Sequence, residues 1–210
     1  PLGARLQDPR ADPGPHRDHV DRLGDRIEER RDCVLSDNQR KLYLAELRRS
    51  REQIMQTVAQ QGVAKSKIHV LAALTRLRQI CCHPQLVGND TASGKTETLF
   101  ELLEPLLAQG QKVLVFSQFV QMLRLIEAEC KTRQMPTHIL TGETKDRQEV
   151  VNGFQNDPNA SVFLLSLRAA GTGLNLTTAS YVVLYDPWWN PAVEAQAIDR
   201  SHRIGQTRTV

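Results

Sequence analysis

Short apolar runs alternate with longer, periodically apolar segments along the second half of the chain. Four of the runs, at 112–116, 137–140, 161–166 and 181–185, show little alternation between apolar and polar positions. Runs of this kind are typical of strands that are buried on both faces, as in a parallel sheet. Because helical segments separate the runs, the pattern predicts an α/β fold, an open parallel sheet with flanking helices and right-handed crossovers.

Three segments around the predicted strands carry apolar residues at helical spacing. They are Leu99, Leu102, Leu103, Leu106 and Leu107, then Phe119, Met122, Leu123, Ile126 and Cys130, and then Val150, Val151 and Phe154. Gly110 is predicted to follow the first helix as its C′ residue, and Pro105 is predicted to kink or shorten that helix. Thr144 is the predicted N-cap of the third helix.

The chain before about residue 90 shows helical periodicity alone. Ser36 is the predicted N-cap of a first helix, and Gly62 is predicted to end it. The apolar stripe of this helix consists of Tyr43, Leu47, Ile54 and Val58. A second helix is predicted over 66–82, where Pro84 stops it. These two helices predict a helical appendage ahead of the α/β lobe.

Composition and charge add little to this organisation. The 210-residue chain has a net charge of +3, which argues against a polybasic binding tail but leaves a local basic groove open. Asp, Arg, Pro, Gly and His dominate the first residues, which lack apolar periodicity. Three parts are therefore predicted: a disordered or extended linker at 1–33, the helical appendage at 34–90 and the α/β lobe at 91–210.

The cysteines favour a reducing compartment. They are Cys33, Cys81, Cys82 and Cys130, and the adjacent pair does not form a disulfide framework easily. The consecutive residues Cys81, Cys82 and His83 cannot wrap one metal ion, so core-packing thiols are predicted rather than a structural metal site. No apolar run approaches the roughly 20 residues that span a bilayer, and we expect a soluble, intracellular protein without membrane contact.

The segment from Pro191 to Gln206 carries the clearest candidate chemistry. A helix is predicted to begin at the Asn190–Pro191 pair, and Gln196, Arg200 and Arg203 then fall on one of its faces. Two convergent guanidinium groups suit a polyphosphate, because each can bind two phosphate oxygens at once. From the spacing alone, an exposed and charged helix end, in which Asp199 neutralises a neighbour, is the alternative.

Glycines follow the third predicted strand. Gly171 and Gly173 permit close approach of the backbone to a ligand, and Asn175, Thr177 and Thr178 add hydrogen-bonding groups nearby. Ligands of open α/β sheets bind beyond the carboxyl ends of the strands, where this segment begins. An ordinary loop remains the alternative.

Two other segments have a structural interpretation that we prefer. Ser93 to Thr96 read Ser-Gly-Lys-Thr, but a phosphate-binding loop needs a glycine where this chain has Asn89, so the start of a helix is predicted. Trp188 and Trp189 resemble a base-stacking platform, but packing on the sheet, with one ring near a cleft, is the preferred interpretation.

Five segments, in order along the chain, resemble motifs of the C-terminal RecA-like lobe of SWI/SNF-type ATPases of helicase superfamily two. They are LRQICCHP, KVLVFSQF, LTGET, SLRAAGTGLNL and DPWWNPAVEAQAIDRSHRIGQ. The resemblance covers roughly residue 34 to the end, and it implies a RecA-like fold. It also implies the second motor lobe of an ATP-dependent, chromatin-remodeller-like translocase on double-stranded DNA.

The resemblance implies cofactors and partners as well. No phosphate-binding loop and no Asp-Glu magnesium motif occur in the sequence, so ATP with Mg²⁺ is expected to be held mainly by the first RecA-like lobe of the same protein. The isolated fragment, which we expect to be truncated at its C-terminal end, is therefore predicted to be inactive. A bacterial cytoplasmic location near the nucleoid is expected, or the nucleus if the source is eukaryotic.

Residue roles follow from the matched motifs. Arg200 and Arg203 match arginine fingers that reach across to ATP. Positions implied at the nucleotide interface are Gly171, Gly173, Gln196 and Asp199. Positions implied at the DNA backbone are Ser117, Gln118, Phe119, Thr141, Gly142, Arg168 and Asn175. Contacts to phosphate and sugar predict little base specificity and strong salt dependence.

Two rival functions remain open on the sequence. One is a non-catalytic module that docks nucleic acid or protein and reuses this lobe. The other is a strand-separating helicase, although the resemblance favours translocation without unwinding.

Overall fold

The computed structural model describes residues 27–170, 174–186, 192, 195, 198, 199 and 210, with the side chains of 64, 65 and 170 excepted. Its helices are α1 (Asp37–Gln61), α2 (Val63–Cys82), α3 (Gly94–Ala108), α4 (Val120–Thr132), α5 (Arg147–Asn156) and α6 (Leu167–Ala170), with a 3₁₀ helix at Pro84–Val87. Its strands are β1 (Val113–Ser117), β2 (Thr137–Leu140), β3 (Val162–Ser166) and β4 (Tyr181–Leu184).

The four strands form one parallel sheet in the order β2-β3-β1-β4. The register aligns Val113 of β1 with Val162 of β3 on one side and with Tyr181 of β4 on the other. The predicted open parallel sheet is therefore confirmed, and the strands begin and end within one residue of the predicted runs. All four carboxyl ends lie at the same edge of the sheet.

Burial differs between the central and the outer strands. Every residue of β1 and β3 is buried, whereas β2 and β4 are mostly half-buried and Tyr181 is 40% exposed. The prediction that all four strands are buried on both faces is thus wrong for β2 and β4. These two strands are the edges of the described sheet, where each has only one neighbouring strand to cover it.

Alternate residues of the central strands face two separate cores. Val113 and Val115 pack with the apolar faces of α3 and α4, including Leu103 and Ile126. On the other face, Leu114, Phe116, Phe163 and Leu165 pack with Val151 and Phe154 of α5. The helices therefore cover both faces of the sheet, as in a RecA-like α/β fold.

Helices α1 and α2 form a hairpin ahead of the sheet, which confirms that a helical part precedes it. The Ser36 hydroxyl accepts the Gln39 N–H, as predicted for an N-cap, and Gly62 separates the helices with a φ of +78°. Helix α2 begins at Val63, three residues earlier than predicted. At the base of the hairpin, the buried Gln39 amide donates to the Ile80 carbonyl at 2.7 Å.

Two local predictions are corrected. Thr144 does not cap α5, because the Asp146 carboxylate accepts the Glu149 N–H at 2.9 Å and holds that end of the helix. Of the two effects predicted for Pro105, shortening does not occur, because α3 continues to Ala108. The proline lies in the last turn, where its missing N–H removes a single bond within the helix. Gly110 follows with a φ of +76°, as predicted.

The predicted linker falls mostly outside the described residues, and its described part, 27–33, has no regular secondary structure. Among the helices that the structure describes, none combines the length and the apolar character that crossing a bilayer would require.

Candidate functional site

The carboxyl edge of the sheet brings together three segments that the sequence singles out. They follow β1 at 117–119, β2 at 141–144 and β3 at 167–170. Since β2, β3 and β1 are neighbours in the sheet, these segments lie side by side along one edge. Neighbouring strands are about 4.8 Å apart, so the three segments span roughly 10 Å across the sheet.

Asp186, an acidic residue that follows β4, holds the segment after β1 in place. The Asp186 carboxylate accepts the Gln118 N–H with both oxygens, at 3.1 and 3.3 Å. The Ser117 hydroxyl in turn accepts the Phe119 N–H at 3.1 Å. Ser117 is fully buried, so its side chain supports the segment from inside and presents no surface for DNA, unlike the part-exposed Gln118 and Phe119.

Burial dominates the electrostatics of Asp186. Its side chain is only 3% exposed, and this burial raises the pKa of the carboxyl group above its usual value. Hydrogen bonds from Ser117 and Gln118 and the positive charge of Lys95 work in the opposite direction. The carboxylate is thus a costly group to bury, and its hydrogen bonds to the loop offset that cost.

Gln118 also joins the helical hairpin to this edge. The Arg78 guanidinium of α2 donates to the Gln118 side-chain carbonyl at 3.3 Å. The amide nitrogen of the same side chain is buried and lies close enough to the Asp186 carboxylate to lower the pKa of that group.

A second buried polar cluster packs beneath Asp186 and accounts for the Ser-Gly-Lys-Thr sequence. The Ser93 hydroxyl accepts the Thr96 N–H as the N-cap of α3 and donates to the Cys82 carbonyl at 2.8 Å. The Tyr185 hydroxyl donates to the same carbonyl at 2.9 Å, and the Lys95 ammonium lies 5.0 Å from the centre of the Tyr185 ring. The predicted helix start is confirmed.

The thiols of this region behave as core groups. Cys82 and Cys130 are buried in the core that α3 and α4 share with the sheet. Burial raises the pKa of the Cys82 thiol to about 12, with the nearby Asp186 charge acting in the same direction. The prediction of core-packing thiols is confirmed for these two residues, whereas Cys81 is half-buried. The described residues contain no cluster of three or more His, Cys, Asp and Glu that could hold a metal ion.

The segment after β2 is a tight loop closed by threonine hydroxyls. Thr141 is 1% exposed, and its hydroxyl accepts the Glu143 N–H at 3.3 Å. The Thr144 hydroxyl accepts the Thr141 N–H at 3.0 Å, which is the contact it makes instead of capping α5. Gly142 lies exposed at the tip, with open space around its Cα. The exposed backbone at Gly142 is therefore what this loop offers to a ligand.

The segment after β3 turns directly into the short helix α6. The Ser166 hydroxyl accepts the Ala169 N–H at 3.2 Å, and Arg147 of α5 donates to the Ala169 carbonyl at 2.9 Å. Arg168 is exposed between these fixed points. An exposed side chain with a permanent positive charge therefore belongs to the segment beside the Gly142 loop.

Asn175 lies apart from this group. Its backbone carbonyl accepts a hydrogen bond from the Gln155 side chain in the last turn of α5. The Gln155 carbonyl itself accepts from Lys112, which immediately precedes the amino end of β1. Asn175 is therefore near the amino ends of the strands, away from the edge where the other predicted DNA-contacting residues lie.

Most predicted nucleotide-side residues fall outside the described part of the chain. These are Gly171, Gly173, Gln196, Arg200 and Arg203, and the Asn190–Pro191 helix start and the two tryptophans fall outside it as well. Asp199 is described as an exposed turn residue whose N–H donates to the Ala195 carbonyl at 2.9 Å. Ala192, Ala195 and Ile198 are helical, in agreement with the helix that the sequence predicts there.

Sequence reasoning missed the residues that hold the edge together. Asp186, Arg78 and Lys95 had no predicted role. A detectable signal existed for Asp186, because an acidic residue directly after an apolar strand is placed at the carboxyl edge of the sheet. Arg78 sits on an ordinary helical face, and only the tertiary packing brings it to Gln118.

Comparison with known proteins gives consistent matches. Residues 94–205 match the family model described as "Helicase conserved C-terminal domain". The chain is 38% identical over 201 residues to the "Putative ATP-dependent helicase/translocase YwqA" of Bacillus subtilis (strain 168), an alignment that covers 90% of this chain. It spans only 21% of the length of that relative.

Two solved structures from Sulfolobus solfataricus are similar in sequence and in fold. The SWI2/SNF2 ATPase C-terminal domain has a TM-score of 0.70 and 35% identity, covering 81% of this chain and 76% of that one. The SWI2/SNF2 ATPase core in complex with dsDNA has a TM-score of 0.72 and 34% identity, covering 88% of this chain and 41% of that one.

Proposed function

This chain belongs to the helicase conserved C-terminal domain family, as a C-terminal RecA-like lobe of the SWI2/SNF2 type, and from that premise we propose that it is the second motor lobe of an ATP-dependent translocase on double-stranded DNA. The observation that carries the proposal is the row of surface groups along the carboxyl edge of the sheet. The row consists of the part-exposed Gln118 and Phe119 and the exposed Gly142 and Arg168. The solved core that resembles this chain was determined with duplex DNA bound.

The edge is suited to the phosphate backbone rather than to bases. Arg168 offers a permanent charge and several donors, and the exposed backbone of Gly142 allows close approach. Flat, shallow contacts of this kind position a duplex without entering its grooves. The interaction is then insensitive to base sequence and weakens as salt increases, because counterions compete for the phosphates.

ATP hydrolysis in this proposal depends on groups from two lobes. The first RecA-like lobe of the full-length protein holds ATP with Mg²⁺, and this lobe supplies Arg200 and Arg203. Two guanidinium groups stabilise the charge that develops on the transferring phosphoryl group. Asp199 and Gln196 lie on the same predicted helix, where they support the interface between nucleotide and lobe, together with Gly171 and Gly173.

The proposal is tested by Arg203→Ala in the full-length protein. Removal of an arginine finger lowers the rate of hydrolysis by roughly 10³-fold or more, so DNA-stimulated ATPase activity should collapse while the lobe stays folded. Hydrolysis is measured with and without duplex DNA, and folding is checked by the thermal unfolding midpoint. Arg124→Ala is the matched control, since it removes an exposed guanidinium paired with Glu127 on the outer helix α4.

The possible outcomes distinguish the proposed translocase lobe from a strand-separating helicase and from a non-catalytic docking module. Full activity after loss of both Arg200 and Arg203 would reject their role in hydrolysis. A wild-type protein that displaces a triplex strand without separating a duplex supports translocation, and efficient unwinding of the duplex would support a strand-separating helicase instead. A full-length protein without DNA-stimulated hydrolysis would favour the non-catalytic docking module.

A further inference from the structure

Asp186 lies at the junction where the end of β4 contacts the segment after β1, and the proposed function assigns it no role. Its carboxylate lies at the end of β4, 3% exposed, and both of its oxygens accept the Gln118 N–H. Burial of an ionisable group is unfavourable unless its hydrogen bonds are made, so these contacts fix the segment after β1 onto the end of β4.

The two segments that meet at this junction belong to different parts of the proposed motor. Gln118 and Phe119 belong to the predicted DNA-contacting edge. In sequence, the chain that leaves Asp186 runs on to Asp199, Arg200 and Arg203, the residues proposed to act at ATP.

A second contact restrains the same side chain. Arg78 of α2 donates to the Gln118 side-chain carbonyl at 3.3 Å, so Gln118 is held by the hairpin through its side chain and by Asp186 through its backbone. Its position is thus fixed from two directions by residues that do not themselves reach the exposed edge.

We propose that Asp186 is a positioning residue, which holds the DNA-contacting segment 117–119 in the place that DNA-stimulated hydrolysis requires. This inference rests on the proposed function, because it assigns this contact a role in DNA-stimulated hydrolysis. Asp186 itself touches neither DNA nor ATP. It acts through Gln118.

The test is Asp186→Asn in the full-length protein. Asparagine keeps the size of the side chain and one acceptor oxygen, but it loses the charge and the second acceptor. The DNA concentration that gives half-maximal ATPase stimulation should rise by about tenfold, as expected for loss of a charge-assisted hydrogen bond. The length of DNA translocated per ATP hydrolysed should fall, whereas the KM for ATP should not change.

Tyr185→Phe is the matched control. Tyr185 is the neighbouring residue and equally buried, and the change removes the hydroxyl that bonds to the Cys82 carbonyl and Thr96 without touching Gln118. A purely structural role for this region would give both variants the same loss of thermal stability and the same kinetics. If Asp186 is a positioning residue, Tyr185→Phe keeps the DNA dependence of the wild type, and Asp186→Asn loses it.

Hydrogen exchange supplies a readout that does not depend on DNA. In Asp186→Asn, the Gln118 amide should exchange faster, while the amides of β1 and β3 keep their protection. If this variant does not fold, Ser117→Ala is measured in its place. It removes the buried hydroxyl beside the carboxylate, which also accepts the Phe119 N–H, and the same direction of change is expected.

The outcomes that overturn the inference are distinct from those that overturn the proposed function. A wild type without DNA stimulation rejects the proposed function, and the positioning role of Asp186 with it. A stimulated wild type whose Asp186→Asn variant has unchanged DNA dependence and unchanged translocation per ATP rejects the inference alone. Parallel losses in Asp186→Asn and Tyr185→Phe also reject it, in favour of a structural role.

Discussion

Gly94, the first residue of α3, lies against the backbone of the segment that leads into α1. A Cβ atom at this position would be 2.4 Å from the Val34 carbonyl oxygen, a distance that requires one of the two segments to move. The glycine in Ser-Gly-Lys-Thr is thus explained by close approach of the chain to itself. Ser93 and Thr96, its neighbours in the motif, are used in the cap and in the buried cluster.

We predict that Gly94→Ala destabilises the protein by about 1–3 kcal/mol, the usual cost of forcing an extra carbon into a packed site. The obstructing atom belongs to the backbone, so rotation of a side chain cannot relieve the contact. The measurement is the free energy of unfolding in urea.

Gly153→Ala is a control for which the opposite effect, an increase in the free energy of unfolding, is expected. Gly153 is inside α5, and a Cβ atom there would meet only the His138 ring at 3.8 Å, an ordinary contact distance. Because alanine has the higher helix propensity, this change should stabilise the protein by about 0.5–1 kcal/mol. Equal effects of the two substitutions would show that contact with Val34 does not explain Gly94.

At the scale of elements, Lys112 ties α5 to the start of β1. Its ammonium group donates to the carbonyls of Phe154 and Gln155 at 2.6 and 3.1 Å, and it lies 5.0 Å from the centre of the Phe154 ring. A cation at the C-terminal end of a helix also interacts favourably with the helix dipole. Burial lowers the pKa of this ammonium group, while the charge of Asp157 opposes that change.

Lys112→Met should lower the free energy of unfolding by about 1.5–3 kcal/mol, because hydrogen bonds to a charged donor are lost while most of the apolar stem is retained. Lys131→Met is the control, since Lys131 is 73% exposed and pairs only loosely with Glu127 at 3.5 Å. Surface pairs of this kind contribute about 0–1 kcal/mol. A similar loss of unfolding free energy in both variants would show that the Lys112 hydrogen bonds do not stabilise the protein more than a surface ion pair does.

The sequence predicted the elements well where one physical signal dominated. The central strands are continuous apolar runs, and the structure places them in a parallel sheet with bounds shifted by one residue. The cap of α5 was misassigned because Thr144 and Asp146 are both good capping residues by type. Only the loop geometry decides between them, and Thr144 is used inside the loop after β2.

The sequence predicts which segments lie along the carboxyl edge of the sheet, but not the hydrogen bonds that join them. Strand order follows from the sheet, and the carboxyl edge follows from the direction of the strands. The burial of Ser117 and Thr141 could not be read from the sequence, because serine and threonine are mostly exposed in proteins and nothing in their type marks these two as exceptions. The Arg78–Gln118 contact joins residues 40 positions apart and depends on how the hairpin packs.

For the whole molecule, packing weakens from the sheet outwards along the hairpin. The central strands β1 and β3 are completely buried between two apolar cores. The hairpin joins the lobe at its base, where Leu77 and Ile80 are buried. Towards its tip, Met55, Val63 and Ile68 are 63%, 69% and 78% exposed.

This gradient predicts the order of amide hydrogen exchange in the native protein. Amides of β1 and β3 should exchange only through global unfolding, whereas those around the turn at Gly62 should exchange through local opening, at a far lower free energy. Mass spectrometry of peptides from 113–117, 162–166 and 55–70 measures the three rates under one condition. The measurement is repeated across protein concentrations, because exposed apolar side chains can pair with a second copy and gain protection. Protection at 55–70 that equals the strands at every concentration would mean that the tip is covered within the same molecule, and the gradient would be wrong.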